Sequence, residues 1–128
     1  MAGGDGPTVT AGPITFIVEH RVVAQGGVEA GGPTVRVLGG DDDHEYLRFD
    51  LFNVSPHYHY EPPAGQERIL MLDTVAEGDA VSWGIARLRD RLGPMLVAAG
   101  GQDLADALDE QTLARAVDDV EALVLRRS

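Results

Sequence analysis

The sequence predicts an α+β fold: an antiparallel four-stranded sheet built from the N-terminal half, covered on one face by two to three C-terminal helices. Three observations carry this expectation. Between residues 14 and 23 apolar and polar side chains alternate with the period of a strand, and strand-like runs recur up to residue 73. From Asp79 onward the apolar residues fall three and four apart, the period of a helix. Strands first and helices afterwards imply hairpin-paired strands with the helices gathered on one face.

Residues 1–13 are rich in Gly, Pro, Thr and Ala and poor in apolar mass, so they read as a flexible N-terminal tail, with a single domain over residues 14–128. A chain of 128 residues has room for one core. In the first strand Ile14, Phe16, Val18, His20 and Val22 share a face. Residues 26–33, with four glycines and a proline, read as a turn or flexible loop. Residues 34–38 make a second strand and residues 45–54 a third, in which Leu47, Phe49 and Leu51 share a face. Carried across Pro56, that parity places His57 and His59 on the core-facing side, although a proline there also marks a strand end or bulge. The apolar run at 67–73 reads as a buried fourth strand.

The second half is helical. Asp79 caps a helix whose stripe is Val81, Ile85, Leu88, Leu92, Leu96 and Ala99. Gly93 and Pro94 interrupt it, since proline removes a hydrogen bond and clashes with the preceding turn, so a kink or a restart is expected there. Gly100 and Gly101 end it, residues 103–108 support a short helix, and Asp109 caps a last one with Leu113, Ala116, Val117, Val120, Leu123 and Val124 as its apolar face.

Absent residues narrow the chemistry. With no cysteine there is no disulfide, thiolate nucleophile or cysteine-held zinc or iron–sulfur site. All ten basic residues are arginine, which removes Schiff-base chemistry and a P-loop lysine. A net charge of −11 repels phosphate backbones and anionic membranes, so neither nucleic acid nor membrane is an expected partner. Arg87, Arg89, Arg91, Arg126 and Arg127 are the remaining basic cluster, and solvated helix faces account for them. No apolar run is long enough to cross a bilayer and the N-terminus lacks the pattern of a secretory signal, so cytoplasmic residence is the default expectation.

The segment His57, Tyr58, His59, Tyr60 is the most informative. In an extended chain His57, His59 and Glu61 share one side at steps of about 6.5 Å while Tyr58 and Tyr60 share the other. Two imidazoles and a carboxylate suit a divalent metal such as zinc or iron, with His57, His59 and Glu61 as ligands. Glu61, His20, His44 and Asp73 all compete for the third position. The same residues also suit hydrogen bonding within the fold, to backbone or to Asp50, Glu61 and Glu67, or metal-free acid–base chemistry, because histidine titrates near neutrality and either nitrogen can donate or accept. Residues 41–45 lack the glycine and terminal glutamate of a calcium loop, and no nucleotide fingerprint or nucleophile elbow exists. Trp83 is either a core residue or, exposed beside Tyr58 and Tyr60, an interface anchor.

These observations predict an acidic binding or accessory module that acts through protein–protein association, as a homodimer or with another chain. Its recognition or ligand surface would comprise His57, Tyr58, His59, Tyr60 and Arg68. The alternative is a small metal-dependent enzyme with His57 and His59 as ligands, Glu61 as third ligand or general base, and Arg68 orienting an anion.

Overall fold

The computed structural model describes residues 6–126; residues 1–5 of the expected tail, and Arg127, lie outside them. The fold is α+β with an antiparallel sheet and C-terminal helices, but the sheet has six strands rather than four. They are β1 (Thr8–Ala11), β2 (Ile14–Gln25), β3 (Val28–Gly39), β4 (Glu45–Asp50), β5 (His57–Tyr60) and β6 (Arg68–Met71), each hydrogen-bonded to its neighbour in chain order. The helices are α1 (Thr74–Glu77), α2 (Ala80–Asp90), α3 (Leu92–Ala98), α4 (Gln102–Asp106) and α5 (Glu110–Leu125).

Two of the six strands depart from expectation because they are short. Residues 8–11 belong to the sheet, not to a flexible tail: Gly12, at φ +60°, turns the chain so that Thr8 pairs with Ile17 and Ala11 with Ile14. The β-branched Thr8, Val9 and Thr10 suit a pleated surface once β2 supplies their hydrogen-bond partners. β5 is the other, a four-residue strand between β4 and β6. The loop expected at 26–33 shrinks to Gly26 and Gly27, both at positive φ, and the remainder joins β3. Gly32 lies where β3 meets the chain leaving β4; a Cβ there would come 2.6 Å from the Leu51 carbonyl oxygen, so only glycine fits.

One face of the sheet carries the core. Phe16, Val18, Val35, Val37, Leu47 and Phe49 project from it and are buried against Leu88, Leu92, Leu96, Val117 and Val120 of the helices. Asp79 and Asp109 cap α2 and α5, accepting from the Ser82 and Thr112 amides at 2.9 Å each. The break at Gly93 and Pro94 is a restart: Arg91 ends α2, and Pro94 sits in the first turn of α3, where its missing N–H costs nothing. Asp73, expected to close a strand, instead caps the one-turn α1.

The apolar run at 67–73 is not a buried strand. β6 is a sheet edge, and Ile69 and Met71 are exposed on the face that no helix covers. His57 and His59 also point to that helix-free face, not to the core. Between β4 and β5 the chain passes through Ser55 at φ +52° and Pro56, and this irregular corner shifts the alternation by one residue, so that Tyr58 and Tyr60 take the core side.

Leu88 is 1% exposed, in the last turn of α2. Leu88→Asp is expected to cost about 4 kcal/mol or more, since it removes apolar burial and leaves an unpaired charge in the core. Denaturant unfolding checks this, and wild-type stability would sink the helix-face assignment.

Candidate functional site

β5 serves two surfaces at once. Antiparallel pairing sets His57 opposite Asp50 and Met71, and His59 opposite Arg48 and Ile69, all toward the helix-free face. Tyr58 and Tyr60, between them, face the helices and pack beside Phe49 and Trp83. The surface predicted from His57, Tyr58, His59, Tyr60 and Arg68 is therefore split. Arg68 belongs with the tyrosines, its guanidinium 4.5 Å from the centre of the Tyr60 ring.

On the helix-free face Asp50 gathers the cluster. Its Oδ1 accepts from Thr34 Oγ1 at 2.7 Å and lies 3.4 Å from Arg21 Nη1. Its Oδ2 lies 3.2 Å from Arg48 Nε, 3.1 Å from His57 Nε2 and 3.0 Å from His59 Nε2. Burial alone would raise this carboxyl, but the hydrogen bonds from His59 and Thr34 and the charges of Arg48 and His57 outweigh it and hold it well below the usual carboxylate range. Each imidazole is anchored at its far nitrogen, His57 Nδ1 2.9 Å from the Ser55 carbonyl and His59 Nδ1 3.0 Å from Glu67 Oε2. The bond to Asp50 raises the His59 imidazole, with burial and Arg48 opposing it and Glu67 adding to it.

Beside this group, Arg36 bridges Glu19 at 2.9 Å and Glu45 at 2.6 Å. Glu45 in turn shares a hydrogen bond with Glu61, whose carboxyl is pushed up to about 7, first by burial and then by Glu45. Burial would raise Glu45 too, yet the bond from Glu61 and the Arg36 contact bring it below its ordinary value. Below about pH 7 the pair thus holds one proton, carried by Glu61.

Among the described residues two donor sets have the spacing a metal ion needs: Asp50, His57 and His59, and separately His59, Glu61 and Glu67. Glu61 is thus grouped with His59 but not with His57. The other residues named for the third position are elsewhere. His20 Nε2 lies 3.0 Å from the Val124 carbonyl on the helix side, His44 Nε2 lies 2.6 Å from the Glu61 carbonyl, and Asp73 caps α1. Asp50 and Glu67 were named from sequence as hydrogen-bond partners of the histidines, and both contact them here, whereas Arg48 and Thr34 were not singled out. The available signal was a hairpin joining residues 45–50 to 57–60, which sets Asp50 and Arg48 against the histidines.

The family model described as a domain of unknown function, DUF7700, matches residues 8–124. The chain belongs to this family. No curated protein and no solved structure matches it. The DUF7700 match begins at the first residue of β1 and ends one residue before the end of α5, so it takes in all six strands and the whole polar cluster.

The shared proton gives stability a signed pH dependence. In the unfolded chain Glu61 ionises near its ordinary 4.5, whereas the folded state holds the proton to about 7, so this residue makes stability fall as pH rises through that window. His59, raised in the fold, adds stability that is lost as pH rises above 6.5. Glu61→Gln is expected to flatten the decline between pH 4.5 and 7 and leave the His59 part above it. Melting temperatures measured across pH check this, and an unchanged slope in the variant would refute the shared proton.

Proposed function

We propose that this protein is a binding module that associates through the β6 edge of its sheet, pairing with a second copy of itself. The observation that carries the reading is the placement of Ile69 and Met71. They are 55% and 62% exposed, on an edge strand, directly opposite His59 and His57. Val75, a few residues on, is also exposed. Edge strands leave backbone donors and acceptors open along one side, and two copies of β6 related by a two-fold axis would pair antiparallel while covering these apolar side chains. Most of the charges beneath are paired within the chain, which suits a surface that must lose water on contact.

Light scattering and analytical ultracentrifugation should find a dimer, and Ile69→Asp with Met71→Asp should yield a monomer of unchanged circular dichroism. A wild-type protein that stays monomeric up to its solubility limit would count against the reading.

A second reading is a divalent-cation site, and the geometry of Asp50, His57 and His59 favours it. Donor separations of 3.0 and 3.1 Å match the roughly 3 Å between neighbouring ligands around an ion bound at about 2.1 Å. Each imidazole has its second nitrogen held by a carbonyl or carboxylate, as metal-bound histidines do. Arg48 opposes it: Nη2 lies 2.9 Å from His59 Nε2, so a cation already borders the position an ion would take. If the site holds metal, zinc, iron, manganese or nickel will raise the melting temperature at neutral pH. The rise will shrink as pH falls and protons compete for the imidazoles, and vanish in His57→Ala with His59→Ala. No metal by elemental analysis of untagged protein, together with no such rise, retires it and with it the metal-dependent enzyme.

A further inference from the structure

The tyrosines of β5 lead to a second surface, independent of the histidines. On the helix side a groove of about 340 Å³ runs between β5 and the junction of α2 with α3. Tyr58, Tyr60, Trp83 and Met95 form its apolar walls, and Arg87 and Arg91 line it as cations, with Glu77 at the α1 side. The rings are continuous: Tyr58 and Trp83 lie 5.0 Å apart between centroids, and Tyr58 and Tyr60 5.9 Å. Arg68 stands over Tyr60 at 4.5 Å and Arg87 near the Trp83 ring at 5.8 Å.

The arginines here have unused capacity. Arg91 makes no ion pair or hydrogen bond to a side chain among the described residues; only its backbone is engaged, at the turn between α2 and α3. Arg87 has one long contact, 3.5 Å to Asp90, and its Nε is buried with no hydrogen-bond partner. In a chain with 21 acidic residues against ten basic ones, cations can find carboxylates nearly anywhere on the surface. Two guanidinium groups beside three aromatic rings, with so little acid engaging them, form a site complementary to an anion that carries a flat apolar body. Its volume lies within the range of small-molecule pockets. Arginine offers a planar fork to carboxylate or phosphate, and aromatic walls hold a ring.

We propose that this groove binds a small organic anion, a carboxylate or phosphate attached to an aromatic body, with Arg87 and Arg91 taking the charge and Tyr58, Tyr60 and Trp83 the ring.

Trp83 is the sole tryptophan, so its indole N–H gives one assignable signal in a ¹⁵N-labelled sample of the whole chain. Titration with benzoate and with phenyl phosphate is expected to shift that signal saturably, whereas benzyl alcohol and acetate leave it in place. Whichever of the two anions binds more tightly identifies the head group. Arg91→Gln, at an exposed residue, should weaken binding about tenfold with the unliganded spectrum unchanged, the loss of one charge-assisted contact. Arg87→Gln should weaken it at least as much. No saturable shift with either anion would overturn the proposal, as would equal binding of benzyl alcohol or undiminished affinity in both variants. The outcome is separate from that of the β6 edge, since Ile69→Asp with Met71→Asp leaves the groove intact.

Discussion

Asp50 lies at the end of β4 with its side chain almost sealed from water, and five donors from four strands converge on its two oxygens: Arg21 from β2, Thr34 from β3, Arg48 from β4 itself, and His57 and His59 from β5. A carboxylate in such a place loses several kcal/mol of hydration, which only close pairing with satisfied hydrogen bonds offsets, so its net contribution to stability is small compared with what it specifies. Slipping any of these strands by one residue would carry its donor to the other face and leave the charge unmatched. The same register places Tyr58 and Tyr60 on the core side. The aromatic groove and the polar cluster therefore rest on one set of pairings.

What the sequence made legible follows from where each element gets its stability. β2, the helices and their caps at Asp79 and Asp109 announce themselves, because long amphipathic runs and side-chain caps are local properties. β1 and β5 are four residues each and owe their existence to a neighbouring strand, which no window of that length reveals. The phase of β5 was illegible for another reason. A serine at positive φ is imposed by the surrounding fold and not encoded by residue type, and it moves the histidines from one face to the other.

The site divides in the same way. His57 and His59 stand out because a strand sets residues two apart on one face, so their common orientation survives even when the face itself is misassigned. Asp50 was readable only as one of several carboxylates within reach of the histidines, and Arg48 as an ordinary position on the face opposite Leu47 and Phe49. Their role comes from cross-strand proximity, which sequence spacing does not carry.

Charge balance is what lets the helix-free face crowd its carboxylates together. Glu19, Glu45, Asp50, Glu61 and Glu67 meet three guanidinium groups, those of Arg21, Arg36 and Arg48, and the two imidazoles. The five carboxylates outnumber the three guanidinium groups, and the proton that Glu61 keeps up to about pH 7 beside Glu45 relieves the excess. A cluster compensated in this way asks a partner for no countercharge. In the proposed β6 pairing, contact over Ile69 and Met71 would gain from apolar burial without stranding an ion, since Glu67, beside His59, still reaches water.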